Sequence, residues 1–470
     1  MNQKEMLFAF EEKYPFLYDI CVNGVPVYTC YRDGILSRLQ GMQKGAGIPA
    51  VKSRVLPKRI FHSFLKFYRF RKKQTLIFTS SVYRRDAGRN LAAEYLLEKY
   101  PDGVIFEWPS RTAAYDSAYL TDPLKDKYCT MEWYLICYKI YEKLARKKIG
   151  KWEEECRAQL KAHFENTQQE TDGEKLAVAY LMEELPKSYA TTALSHQVFR
   201  WLFKKYKNIE YAIDFWGSAR ENIIPVLPGK PESIELQHGI ITSYHPGYIY
   251  PDFVREGKTD FFKRTLLVYG QKTKTQLVEG SIFTAEQVQV IGNPRIKKYK
   301  TSIGAQETER KLLLFASQPY EQDGLTTGYY DLVIRFLKEV EKLLVEDPLW
   351  ANYRLGIKLH PRENNAVVEM YQKAFPNATV YDNASQLYTL LCESFVQMTM
   401  TSTSLYEGAE FDTPTVITYL QGKEPERIYG FPVWTAYSPE QLIPLLQKLQ
   451  EKEEYGKYLQ YLKEQSLQYN

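Results

Sequence analysis

Residues 311–317 read KLLLFAS, 353–359 YRLGIKL, 395–398 FVQM and 415–419 TVITY. Each is a short apolar run of strand length, the pattern of a strand covered on both faces. Between them, Tyr329–Val345, Ala366–Phe375, Ser385–Glu393 and Ser404–Phe411 carry helical spacing of apolar residues, and Ala378–Tyr381 reads as one more short strand. Strands alternating with helices of this length predict a parallel sheet with helices on both faces.

Working outward toward the N-terminus, the same signal recurs less regularly. Thr75–Thr79 (TLIFT) and Val104–Glu107 (VIFE) flank a predicted helix at Arg89–Tyr100. A largely helical block is expected from about 128 to 205. Strands are then expected at Tyr211–Phe215, Ser233–Leu236, Leu266–Tyr269 and Gln287–Ile291. The polar stretch 297–310 lacks apolar periodicity and is read as a linker. The expected fold class is therefore α/β, with two Rossmann-like domains facing across a cleft. The first would span 1–300 with a helical insertion at about 128–205, and the second 301–438. Two amphipathic helices, 439–470, would cross back toward the first domain.

Composition narrows the function classes. The chain has 470 residues, 44% of them hydrophobic, enough for more than one domain. The formal charge of +5 is small beside 62 basic and 57 acidic residues, so the whole chain does not look like a nucleic-acid binder. Six scattered cysteines form no Cys-x-x-Cys pair, which suits free thiols in a reducing compartment. The N-terminus MNQKEMLFAFEEKYPF carries acids and is not a secretory signal, and no run of about 18 apolar residues occurs. A cytoplasmic or peripheral location is expected.

In open parallel sheets, ligands bind beyond the carboxyl ends of the strands. Three polar clusters fall there. Gln237-His238-Gly239 follows the strand SIEL; His238 is a candidate proton acceptor, and Gly239 allows close backbone approach. A histidine simply hydrogen-bonded within a turn is the plainer reading. Lys358, His360 and Arg362 alternate after the strand YRLGI, and in extended chain they would share one side as a diphosphate pocket. Thr401, Ser402, Thr403 and Ser404 precede a helix. Capping accounts for one hydroxyl, and the remainder suit a phosphate. Glu407, one turn further in, is placed to accept hydrogen bonds from a ribose diol, or serves as an ordinary first-turn glutamate. Arg84, Arg85 and Asp86 follow TLIFTS and are expected on the acceptor side of the cleft, with Gln237 and Gly239; a loop salt bridge is the alternative. No Asp-x-Asp occurs, so no metal and no further cofactor are expected. The leaving diphosphate would be balanced by Lys358, Arg362 and the helix start.

In these residues the chain resembles the two-domain GT-B glycosyltransferases. Among them it is most similar to the capsule and teichoic-acid biosynthesis transferases, which include bacterial sialyltransferases, Kdo transferases and CDP-glycerol glycerophosphotransferases. The shared elements are a His-Gly (His238-Gly239), a His-Pro (His360-Pro361) and a Ser/Thr pair opening a helix (Thr401–Ser404). The segment STSLYEGAEFDTPTVI also matches the pattern in which Glu407 contacts the ribose. The likeness covers about 210–420. It departs from the family in two places. The acidic Asp-Gly element of sialyltransferases is not evident in the first domain; Gln322-Asp323-Gly324 has similar letters but lies in the second. His238-Gly239 continues Ile-Ile-Thr where glycerophosphotransferases carry Thr-Pro. The resemblance implies metal-independent, inverting transfer from a nucleotide-activated donor to a glycan or lipid-linked glycan, with His238 as base. A sugar-nucleotide 2-epimerase of the same fold and a non-catalytic polysaccharide-assembly protein are the rival readings.

One stretch falls outside this scheme. Residues 53–74, SRVLPKRIFHSFLKFYRFRKKQ, hold eight Lys/Arg and no acid, interleaved with aromatic residues. Peripheral contact with an anionic membrane is one expectation. A solvated helix packing its aromatic side on the body is the other, and nucleic acid is disfavoured.

Overall fold

The computed structural model describes residues 3–41, 57–84, 89–109, 124–215, 223–256, 260–303, 309–321, 327–360, 363–382 and 385–469. A short antiparallel pair, β1 (Cys21–Val22) and β2 (Val25–Pro26), lies near the N-terminus. Seven parallel strands then form the first sheet: β3 (Thr75–Ser80), β4 (Val104–Trp108), β5 (Tyr128–Thr130), β6 (Tyr211–Asp214), β7 (Glu232–Leu236), β8 (Thr265–Val268) and β9 (Val288–Val290). Their order is β5-β4-β3-β6-β7-β8-β9. The second sheet is also parallel, with strands β10 (Leu312–Ala316), β11 (Arg354–Lys358), β12 (Thr379–Tyr381), β13 (Ser394–Thr399), β14 (Thr415–Thr418) and β15 (Thr435–Ala436) in the order β12-β11-β10-β13-β14-β15.

Each sheet begins near its centre, runs to one edge and returns to fill the other. The switch points therefore fall between β3 and β6 and between β10 and β13, where a crevice opens at the strand ends. The apolar runs explain the central strands. All five residues of β10 are buried, and Leu313 pairs with Leu355 on one side and Val396 on the other. The expected α/β architecture of two Rossmann-like sheets facing across a cleft, the GT-B arrangement, is what the chain adopts.

Two local readings change. Tyr128–Thr130, taken as the start of the helical block, is an edge strand, and the helices begin at Glu132. The block consists of helices Glu132–Leu144, Arg146–Phe164 and Asp172–Phe203, the last capped by the Thr171 hydroxyl, which accepts from the Glu174 N–H at 3.1 Å. Part of the expected linker 297–310 is a helix, Pro294–Ile303. Its inward side is carried by Ile296 and Tyr299, three residues apart and too few to register as periodicity.

The N-terminal 40 residues brace the first sheet. Arg32 is fully buried and forks onto Glu11, Nε to Oε1 at 2.5 Å and Nη2 to Oε2 at 2.9 Å. Its Nη1 donates to the carbonyls of Pro246 and Ile249, the latter at 2.8 Å, and so fixes the segment after Gln237-His238-Gly239. At the other end, helix Lys452–Leu467 packs on Ser404–Glu410. The Lys272 N–H then donates to the Gln468 carbonyl at 2.9 Å, and the Lys272 ammonium lies 4.5 Å from the centre of the Tyr469 ring. Gly270 is required there, because a Cβ would run into the Gln468 carbonyl.

Candidate functional site

A cleft between the two sheets holds about 1340 Å³ of empty space, open solvent included. Tyr83 and Phe215 line it from the first switch point, and Ala316, Ser317 and Ser402 from the second. Gln237, His238 and Gly239 form part of one wall. Lys358, Leu359 and His360, with Ser402, Thr403, Ser404 and Glu407, form part of the other. The three clusters picked out by strand-end position thus share one cavity.

On the first-sheet wall, a chain of polar contacts runs from the core to the cleft. Arg264 and Glu235 are buried and paired at 2.6 Å. Burial, the largest single influence, would lower the Arg264 pKa, but Glu235, followed by Tyr250, Tyr248 and Asp214, together outweigh it and the net shift is upward. Glu235 Oε1 accepts the Tyr248 hydroxyl at 2.6 Å. Burial, then the Glu235 charge, raises the Tyr248 phenol well above its ordinary value, so its proton stays on. The Tyr248 oxygen lies 3.4 Å from Nδ1 of the half-buried His238. Gln237 does not offer its amide to the cleft: Oε1 accepts the Tyr269 N–H and Nε2 donates to the Gly239 carbonyl, both at 2.7 Å. A Cβ on Gly239 would meet no atom within 4 Å, so packing does not require glycine there.

On the second-sheet wall, the expected alternation of Lys358, His360 and Arg362 stops short. β11 ends at Lys358, and the chain turns. The His360 N–H donates to Glu363 Oε2 at 2.6 Å, and the Glu363 N–H returns to the His360 carbonyl at 2.9 Å. Lys358 borders the cleft but is buried, its ammonium donating to the carbonyls of Leu359 at 2.6 Å and Asp382 at 2.9 Å. Glu363 also accepts the hydroxyls of Ser317 and Tyr330. Burial raises its pKa from the ordinary carboxylate value despite these donors. Arg362 lies outside the described residues.

The four hydroxyls separate. Thr401 turns inward, to Gln318 Oε1 at 2.9 Å and to the Tyr320 hydroxyl. Ser402 accepts the Ser404 N–H at 3.2 Å, and the Ser404 hydroxyl pairs with the Gln397 amide. Thr403, at the cap position, makes no capping bond through its side chain. Glu407 Oε1 accepts from Tyr388 at 2.8 Å and Arg295 Nη1 at 3.3 Å. Arg295 itself lines the cleft.

Arg84 corrects the acceptor-side reading. Tyr83 faces the cleft, but Arg84 turns into the body, where Nε pairs with the buried Glu107 at 2.6 Å and the guanidinium sits 4.3 Å from the centre of the Tyr128 ring. The salt bridge weighed as the alternative is the one formed. Arg85 and Asp86 lie outside the described residues.

The residues missed were Glu235, Tyr248, Arg264 and Arg295. Glu235 was detectable as a charged residue within an apolar strand. Tyr248 and Arg264 reach the site through the tertiary fold and give no local signal.

No family model and no curated protein matches the chain. Solved structures similar to it include a UDP-N-acetylglucosamine 2-epimerase, with 13% identity and TM-score 0.49 over 83% of this chain and 90% of that one. The S. aureus MnaA–UDP co-structure has 12% identity and TM-score 0.49 over 85% and 93%. A wall teichoic acid polymerase TagF structure soaked with CDPG has 11% identity and TM-score 0.42 over 88% and 94%.

Proposed function

We propose that the chain is a GT-B glycosyltransferase of bacterial surface-polysaccharide synthesis, moving a sugar or polyol phosphate from a nucleotide-activated donor to a glycan hydroxyl without a metal. The observation that carries this is one cleft lined from two sheets by His238, His360, Ser402, Thr403 and Ser404. His238 is the proposed base. With the Tyr248 proton directed at Glu235, the phenol oxygen can only accept at Nδ1. The neutral imidazole then carries its proton on Nδ1 and has a lone pair on Nε2. As the acceptor oxygen bonds to the transferred group, Nε2 takes its proton. The bond to the nucleotide breaks with its electron pair on the leaving phosphate. His360, Thr403 and the neighbouring hydroxyls are assigned to the donor phosphates, together with Arg362, and Glu407 to the ribose. Lys358, held on carbonyls, contributes a nearby positive charge rather than a direct contact.

Thermal-shift titration with CMP, CDP, UDP and GDP tests the reading. One nucleotide at a hundred times its Kd should stabilise the protein by about 2.7 kcal/mol. His360→Ala should remove that shift and most of the transfer; near-normal turnover would refute the phosphate assignment. Conversion of a UDP-sugar without any acceptor, followed by NMR, would instead identify a sugar-nucleotide 2-epimerase.

A further inference from the structure

The basic stretch forms a helix, Pro57–Arg69, that is apolar on two sides. Phe67, with Phe70 just beyond the helix, enters the core on one face of the first sheet. Phe61, Phe64, Leu65 and Tyr68 form a second stripe, spaced 3, 1 and 3 residues apart, and this one is exposed; Phe61 keeps 67% of its surface and Phe64 52%. The packing alternative from sequence therefore accounts for only some of the aromatic residues.

Helix Glu132–Leu144 lies against it and joins the same core through Trp133 and Tyr134. It too leaves an apolar stripe in water: Leu135, Ile136, Ile140 at 53% and Leu144 at 79%. Both helices cover one face of the first sheet, so their solvent sides turn away from that sheet together. Trp201, on the third helix of this layer, is also exposed and packs by its ring 5.7 Å from Tyr141. Of the fifteen large apolar side chains exposed among the described residues, eight fall on these two helices and Trp201 is a ninth beside them. Scattered exposed apolar residues need no explanation, but a concentration of this kind does.

The charge around the stripes is cationic. Arg69 and Lys72 are exposed at the end of the first helix. Lys139, Lys143, Arg146, Lys147, Lys148 and Lys151 are exposed along and just after the second. The one acid between Leu135 and Lys151 is Glu142, and it is paired with Lys139 at 2.7 Å. A protein partner could cover the apolar stripes, but it would not by itself account for the flanking ring of cations. Nucleic acid would account for the cations, yet leaves Leu135, Ile136, Ile140 and Leu144 without a role. A bilayer with anionic headgroups answers to both.

We propose that helices Pro57–Arg69 and Glu132–Leu144 together form a two-helix surface that lies on an anionic lipid bilayer, their apolar stripes inserted below the headgroups. This goes beyond the catalytic reading and does not depend on it, because lipid binding is measured without nucleotide.

The test is flotation of the full-length protein with vesicles of phosphatidylcholine containing about one-third phosphatidylglycerol, against phosphatidylcholine alone. The wild type should float with the anionic vesicles and remain largely behind with the neutral ones, and about 0.5 M salt should weaken the binding. Phe61→Ser with Phe64→Ser should reduce binding about tenfold, and so should Ile140→Ser with Leu144→Ser. All four side chains are exposed, so both variants should melt at the same temperature as the wild type. Equal flotation with neutral and anionic vesicles, capture by single-stranded RNA without flotation, or loss confined to the first variant would each overturn the two-helix surface.

Discussion

The two walls of the cleft are built on different principles. The first-sheet wall presents one histidine at the end of a buried chain, Arg264–Glu235–Tyr248–His238, whose inner members never reach solvent. The second-sheet wall presents a half-buried histidine in a tight turn, a set of short hydroxyls, and Glu407 held by Tyr388 and Arg295. A residue fixed by a buried charge pair has one orientation and a defined tautomer, which suits proton transfer. A wall of small donors on turns suits a phosphate whose oxygens can be met from several directions. On the proposed reading, chemistry belongs to the first wall and donor binding to the second.

The comparison breaks most readily at Glu235. Glu235→Ala leaves the Arg264 guanidinium buried without its carboxylate and Tyr248 without its acceptor. Removal of one partner from a buried pair typically costs about 3–5 kcal/mol, and a denaturant melt should show a loss of that size. A variant as stable as the wild type would mean that the chain is not a structural unit. Next comes Tyr248→Phe, which removes one buried hydrogen bond and should cost about 1–3 kcal/mol. If the tyrosine sets the His238 tautomer, turnover should fall while KM for the donor holds, and the pH–rate profile should move. A proportionate change in KM alone would place Tyr248 on the binding side instead and blur the division.

The two walls also differed in how far the sequence disclosed them. The second sheet was legible strand by strand, because β10, β11 and β13 are largely covered on both faces and so read as short, mostly apolar runs, unbroken in β10. The rule that ligands gather at strand ends then placed His238, His360 and Ser402–Ser404 in one cavity without any coordinates. What the sequence could not convey was direction. Lys358 looked like a phosphate ligand because alternation holds only while the strand continues, and the strand ends at that residue. Arg84 looked like a cleft residue because its buried partner Glu107 sits 23 positions away on the neighbouring strand. Arg264 and Tyr248 stayed invisible for the same reason: their role comes from pairing across β7 and β8 and from the loop that Arg32 pins in place. The amphipathic layer was half legible. The basic and aromatic run stood out, but the second exposed stripe, Leu135 to Leu144, resembles any core-facing helix until its burial is known.

The smallest expected effect is at Gly239, and it tests the comparison most cleanly. Gly270 and Gly239 both lie just beyond strands of the first sheet, yet for opposite reasons. A Cβ at Gly270 collides with the Gln468 carbonyl, whereas one at Gly239 projects into empty cleft. Gly239→Ala should therefore leave the folded protein within about 0.5 kcal/mol of wild type, as for any substitution without a new contact. Its consequence should appear only when the cleft is filled. If donor or acceptor approaches the backbone there, the added methyl group displaces it, and KM rises in a protein that melts normally. An unchanged KM would show that the His238 loop is not closely approached, and the base would then have to act on a hydroxyl held from the opposite wall.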